Sequence, residues 1–319
     1  PDHVGYNPAI SGLSLNFNRV HFEWKRSGTG YSVALDGRSA KYRPVVKVAQ
    51  MKVVNRQMPV YTYRDSGGLD QWTVAQKALG KGGSRWLPVR RPAIYAGEVF
   101  QALAGAHGIS LKAPKETRNL PAGTIIVEHQ SAKLKVILKL MLKYSTNLTA
   151  EMVGLAATKA HTGKVSTLSA SAAAMSRWAG KALDMPGAKL VDHSGLGDAS
   201  RLHAGELVRA LVKVRRNKTL QPILKDIALR HDNGKVNKAH PIKVQAKTGT
   251  LNFVSGLAGY MTAQDGTQMA FAIFAADTKT RDGIKRNDRE RPQGARGWNR
   301  RAKILQQKLI ERWGAVYGS

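Results

Sequence analysis

A chain of 319 residues with 42% hydrophobic and 7% aromatic residues is too apolar to be disordered, and it is long enough for a second core because single cores stop growing near ~250 residues. The absence of cysteine excludes a disulfide framework, a thiolate metal site and a cysteine nucleophile. A net charge of +30, from 51 Lys and Arg against 21 Asp and Glu, suits an anionic partner such as nucleic acid, lipid or an acidic envelope polymer, without choosing among them.

No stretch reaches the ~18 consecutive apolar residues of a membrane helix, and Pro1 to Tyr6 lack the layout of a signal peptide, so a soluble chain is expected. Leu13, Leu15 and Phe17 alternate with polar neighbours, and Val20, Phe22 and Trp24 continue an extended pattern up to a turn over Lys25 to Gly30. Tyr31 to Leu35 and Val45 to Val54 read as further strands. From Asp65 to Arg91 the composition shifts to Gly, Ser, Lys and Arg, with Ser66-Gly67-Gly68 and Gly80-Lys81-Gly82-Gly83-Ser84 as loop signals. The second of these lacks the spacing and ending of a phosphate loop and reads as a flexible turn. A helix over Ala93 to His107 stops at Gly108, and the polar stretch Lys112 to Gly123, with Pro114 and Pro121, sets a domain boundary near residue 120.

Beyond the boundary, Leu134, Ile137, Leu138 and Met141 fall on one helical face, with Ser145 continuing it and lysines elsewhere. After a break at Ser145 to Asn147, Leu148, Met152, Leu155 and Ala156 mark a second helix, with Glu151 near its positive end. Helices are expected at Leu168 to Leu183 and Ala204 to Arg216, and a last one at Trp298 to Trp313 with Ala302, Leu305 and Leu309 on one stripe. Lys243 to Lys247, Ser255 to Thr262 and Met269 to Ala276 read as neighbouring strands, the last two joined by a hairpin at Gln264-Asp265-Gly266-Thr267. Met269 to Ala276 is apolar enough for a strand covered on both faces. The densest basic run, from Arg281 to Arg301, is interrupted by Asp282, Asp288 and Glu290 and reads as a solvated loop and helix face.

Lys247-Thr248-Gly249, followed by Thr250, ends one of those strands. A Lys supplies positive charge, a Thr a hydrogen bond and a Gly close backbone approach, which together can hold a carboxylate. Alone the triplet arises by chance with probability on the order of 0.1 in a lysine-rich chain of this length. Ser145-x-Asn147 on a loop between two helices is weaker still by itself. Penicillin-binding enzymes, however, build their site from a Ser-x-x-Lys nucleophile motif, a Ser-x-Asn loop and a Lys-Thr-Gly strand, in that order. Here the second and third occur in order, each in the setting required.

The surrounding residues carry a resemblance. Tyr144 to Glu151, Val191-Asp192-His193-Ser194-Gly195-Leu196-Gly197, Ala246 to Leu251 and Val254 to Tyr260 resemble the D-alanyl-D-alanine carboxypeptidase/endopeptidase family, the class C penicillin-binding proteins. Ile10 to Asn18 also resembles a segment of that family's inserted domain. Two departures stand out. His193 occupies a position where the family has Gly, and no Ser or Thr in the chain is followed by Lys three residues later. In the family the Ser-x-x-Lys lies upstream of the insertion, so the nucleophile is expected in a segment outside this chain, which alone should not turn over.

The resemblance implies an α/β (α+β) protein: a β-rich accessory part over residues 1–120, then a transpeptidase/β-lactamase-like domain over 121–319 in which helices cover an antiparallel sheet. It implies hydrolysis of D-Ala-D-Ala bonds in peptidoglycan stem peptides through an acyl-enzyme, acylation of the same site by β-lactams, and a periplasmic or extracytoplasmic location. Ser145 would relay a proton to the departing amine, Asn147 would bind the substrate's amide, and Lys247 would support both electrostatically. Thr248 would bind the terminal carboxylate, Gly249 would admit the substrate backbone, and the Thr250 N–H would form half of an oxyanion hole. His193 reads as a solvated or hydrogen-bonded loop residue rather than a catalyst, and Asp192 and Ser194 as residues that shape that loop. No cofactor or metal is expected, because nine His residues lack any paired ligand spacing. The rival readings are a β-lactamase-like hydrolase and a non-catalytic basic module for nucleic acid or anionic wall polymer.

Overall fold

The structure is a computed structural model that describes residues 2–117, 119, 122–285, 288 and 292–318; Arg286, Arg289, Glu290 and Arg291 of the basic run lie outside them. The chain divides into two compact units, residues 1–130 and 131–319. The boundary expected near residue 120 falls beside Leu120 and Pro121, outside the described residues.

Among the described residues the first unit holds two three-stranded sheets and one α-helix. In one sheet β1 (Arg19–Ser27) lies between β2 (Gly30–Asp36) and β6 (Gly82–Pro88), all antiparallel. In the other, β5 (Leu69–Ala75) lies between β3 (Ala49–Val54), parallel to it, and β4 (Tyr61–Ser66), antiparallel. Period-two alternation sends Val20 and Phe22 of β1, and Trp72 and Val74 of β5, into a common core with Leu87, Tyr95 and Val99. Each such side chain contributes about 1.5–3 kcal/mol by leaving water. Helix α1 (Pro92–Ala106) opens on a proline, whose missing N–H costs nothing at a first helical position, and buries Tyr95 and Val99 one turn apart.

Two expectations fail here for local reasons. Leu13 to Phe17 is a turn: Asn16, Phe17 and Asn18 take left-handed φ values of 51°, 56° and 52°. Side-chain bonds hold it, since Asn18 accepts from the Leu15 N–H at 3.2 Å and donates to the Ala9 carbonyl at 2.9 Å. Gly82 and Gly83 lie inside β6 and are no flexible turn: a Cβ on Gly83 would stand 2.7 Å from the Trp24 ring, which crosses that spot. The glycines that marked loops make room there for a neighbouring strand's indole.

The second unit is one antiparallel sheet dressed with helices. Its strand order is β10 (Gln268–Ala276), β9 (Val254–Thr262), β8 (Lys243–Leu251) and β7 (Lys225–Asp226). β8 runs four residues past Lys247, so Thr248, Gly249 and Thr250 sit within a strand paired to β9. Val244 and Ala246 of β8 face a core with Leu257, Met261, Phe271, Ile273 and Ile310. On the opposite face Tyr260 packs with Leu211 and Leu224, and its hydroxyl donates to the Leu211 carbonyl at 2.7 Å. β10 is an edge strand among the described residues, yet it is covered on both faces as expected: Phe271 and Ile273 pack with Ile310 on one face and Ala270 with Leu211 and Tyr260 on the other, while Phe274 near its end is 47% exposed.

Five longer helices complete the unit: α2 (Leu134–Tyr144), α3 (Asn147–Thr162), α4 (Leu168–Leu183), α5 (Ala204–Arg215) and, after the short α6 (Thr278–Asp282), α7 (Ala295–Tyr317). Thr167 caps α4 by accepting the Ala170 N–H at 3.1 Å. On α7 Ala302, Gln306 and Ile310 are buried and Leu309 packs against the same core as expected, whereas Leu305 is 50% exposed; buried Gln306 donates to Ser255 Oγ at 3.1 Å. No helix of the described residues is long and apolar enough to cross a membrane.

Candidate active site

Helix α2 ends at Ser145, whose φ of 54° and ψ of 52° are left-handed and whose N–H bonds back to the Met141 carbonyl. A left-handed conformation costs a non-glycine residue about 1–2 kcal/mol, so a serine here is held against backbone preference. After Thr146 the chain re-enters helix at Asn147, and buried Leu148 anchors the new helix one residue later. The sharp reversal exposes Ser145 and leaves Asn147 half-buried.

On β8, alternation turns Lys247 to the face opposite Ala246, the face toward which α2 contributes Leu142. There its Nζ donates to Ser145 Oγ at 2.6 Å, between residues 102 apart in sequence, and also to the Thr248 carbonyl at 2.5 Å. Burial, and secondarily the charge of Lys225, push the Lys247 amine below its usual value. With its oxygen accepting from the amine, the Ser145 hydroxyl can offer its own proton to a third group, which is the geometry of a proton relay.

Thr248, Gly249 and Thr250 continue β8 and are exposed. Their register with β9 is Thr248 to Leu257, Gly249 to Gly256 and Thr250 to Ser255. On the other side β7 pairs only with Gln245 and Ala246, so among the described residues the edge from Lys247 to Leu251 has no strand partner. A Cβ on Gly249 would meet nothing within 4 Å. Such an edge can accept an extended peptide through main-chain hydrogen bonds. Ser145 and Lys247 are thus joined directly, Asn147 stands two residues from Ser145, and the Thr248 to Thr250 segment follows Lys247 along the strand.

Two features escape sequence reasoning. Glu151 of α3 is 7% exposed, and its two oxygens accept the N–H groups of His193 and Ser194, each at 3.0 Å. It lies on the apolar stripe of Leu148, Met152 and Leu155, and an acid on such a stripe must find donors; that was the readable signal. The second is Lys225, which a two-residue strand too short to leave a pattern pairs with Ala246, the residue before Lys247.

The loop that Glu151 holds is closed from within by Asp192, which accepts from the Gly195 and Gly197 N–H groups at 2.8 and 2.6 Å, while Ser194 Oγ accepts from Leu196 at 3.4 Å. His193 bonds Ser171 Oγ at 2.8 Å and contacts Met175 Sδ at 3.2 Å. Its ring fills the space beside Gly154, where a Cβ would come within 2.1 Å of it. Desolvation lowers its pKa, against the opposing charges of Glu151 and Asp192, so the ring is neutral at pH 7 and serves as a tie between loop and helices.

The model of the D-Ala-D-Ala carboxypeptidase 3 (S13) family matches residues 2–292. Carboxypeptidase DacB of Mycolicibacterium smegmatis is 30% identical over 202 residues, which are 58% of this chain and 42% of that protein. The D-alanyl-D-alanine carboxypeptidase of an Actinomadura species is 26% identical over 199 residues, 58% of this chain and 37% of that protein. The chain therefore spans less than half the length of these curated relatives. Among solved structures, penicillin-binding protein 4 (dacB) from Haemophilus influenzae, complexed with a β-lactam, superposes with a TM-score of 0.66 at 18% identity, covering 85% of this chain and 65% of that one. At that identity the likeness concerns the fold.

Proposed function

From a chain that belongs to the D-Ala-D-Ala carboxypeptidase 3 (S13) family, we propose that it supplies the proton-relay and carboxylate-binding side of a serine-type D-alanyl-D-alanine carboxypeptidase/endopeptidase site. The observation that carries this reading is the 2.6 Å bond from Lys247 Nζ to Ser145 Oγ, which joins two motifs far apart in sequence. The nucleophilic serine and its lysine come from sequence outside these 319 residues, since none of the Ser or Thr here precedes a Lys at that spacing.

In this mechanism the serine attacks the penultimate D-Ala carbonyl of a peptidoglycan stem peptide, and the Thr250 N–H stabilises the oxyanion that forms. Ser145 passes a proton to the departing amine of the terminal D-Ala, with Lys247 beside it to restore that proton. Asn147 holds the substrate amide, Thr248 binds the terminal carboxylate, and Gly249 lets the peptide backbone lie against β8. Water then releases the acyl group, whereas a β-lactam acylates the same serine. The substrate places the reaction outside the cytoplasmic membrane, and a net charge of +30 favours contact with anionic envelope polymers there.

The test uses the product of the complete reading frame. It should contain a Ser-x-x-Lys, label with a fluorescent penicillin, and lose about 10²–10³-fold in labelling rate in the Ser145→Ala and Lys247→Ala variants. A complete product without that motif that never labels would sink the enzymatic reading and leave a binding role.

A further inference from the structure

Helix α7 turns one side to the sheet and the other to solvent. Its sheet side is closely fitted: Gln306 bonds Ser255, and a Cβ on buried Gly314 would stand 2.5 Å from the Ile242 side chain. On the solvent side Arg296, Arg300 and Lys303 follow one another at steps of four and three residues, and Arg301, Lys308 and Arg312 at steps of seven and four. All six are exposed, and they form two rows that together run about 24 Å along the helix. Among the described residues none of the six takes part in an ion pair. The single acid of the helix, Glu311, is half-buried and already accepts from Gln307 Nε2 at 2.7 Å. Ile304 stands on the crest between the rows, next to Arg300, Arg301 and Lys308, and is 47% exposed.

Six cations fixed on one helix face repel one another, and an anionic partner relieves that repulsion. A linear polyanion can lie along one row, but it leaves the other row and Ile304 in water. A flat anionic surface meets the crest and both rows together, because the long Lys and Arg side chains reach down beside the crest while Ile304 enters the headgroup boundary. We propose that this face of α7 is a docking surface for an anionic lipid bilayer. The buried side of α7 places Ile310 in the core that holds Ala246, whereas Lys247 projects from the opposite face of the sheet toward Ser145. A bilayer under α7 therefore leaves the Ser145–Lys247 pair directed away from the lipid. This docking is independent of the peptidase reading.

The test is co-sedimentation of the 319-residue protein with vesicles of phosphatidylcholine, alone or mixed with phosphatidylglycerol, each against a vesicle-free blank. At about 0.1 M salt, where charges farther than about 10 Å are screened, the protein should sediment with the mixed vesicles and not with phosphatidylcholine alone. The triple variant Arg300→Gln, Arg301→Gln, Lys308→Gln should lower the partition coefficient about a hundredfold. Ile304→Ser should lower it about fivefold. A control triple of the same net charge, Lys135→Gln, Lys139→Gln, Lys143→Gln, lies on exposed positions of α2, which packs through Leu142 on the other face of the sheet, and should change binding little. Equal losses in the two triples would reduce the effect to net charge and overturn the proposal, as would the absence of binding to mixed vesicles. Displacement of the vesicles by inorganic polyphosphate, with Ile304→Ser binding like the parent, would assign the face to a soluble polyanion and overturn the lipid.

Discussion

Lys247 shows how a single side chain can serve a site at the expense of the fold. Its ammonium is drawn out of water by burial and feels the charge of Lys225, so the folded protein disfavours its charged form. The folded amine therefore loses its proton at a lower pH than the unfolded one, whose ordinary value is 10.5. In the window between them the unfolded chain binds more protons, and stability rises with pH. Lys247→Met should abolish that rise and be no less stable than the parent at neutral pH, although it removes the bond to Ser145. Urea denaturation at neutral and alkaline pH measures both; a marked loss of stability at neutral pH would show that the amine supports the fold. Ser145 carries a related burden in its backbone, since left-handed geometry suits glycine better than serine.

At the scale of elements, α3 joins the turn at Ser145 to a second loop: its first residue is Asn147, and its second turn carries the Glu151 carboxylate that gathers the loop at residues 192–197. Glu151→Gln keeps one acceptor and replaces the other with a donor facing an N–H. The expected cost is about 1–3 kcal/mol. Hydrogen exchange should show the His193 and Ser194 amides losing protection first; unchanged protection there would remove Glu151 from its assigned place. Elements that obey one clear period were readable in advance: α4 lies at Leu168–Leu183 as expected, and β9 and β10 flank a hairpin placed correctly. Misreadings arose where a distant partner decides the local form. Trp24 gives Gly83 its strand geometry, and Asn16 and Asn18 divert an alternating segment into a turn. Ser145 and Lys247 were visible because motif order survives in sequence, whereas Lys225 acquires its neighbour only through a pairing register.

For the whole molecule, charge and exposed apolar surface act in opposition. Between the helix of the first unit and α2 the described residues form no helix or strand, and among them Ile125, Ile126 and Val127 are 78%, 93% and 82% exposed. Three bulky apolar side chains exposed in a row invite association with another chain. At low ionic strength a charge of +30 keeps copies apart. Salt shortens the reach of that repulsion to about 10 Å at 0.1 M and leaves hydrophobic attraction intact. Light scattering should therefore increase as salt is added, and Ile126→Lys should suppress the increase; scattering that falls with salt would contradict this balance. The practical consequence is colloidal: a protein this cationic would keep best in dilute buffer and would cloud under the saline conditions normally chosen to keep basic proteins dispersed.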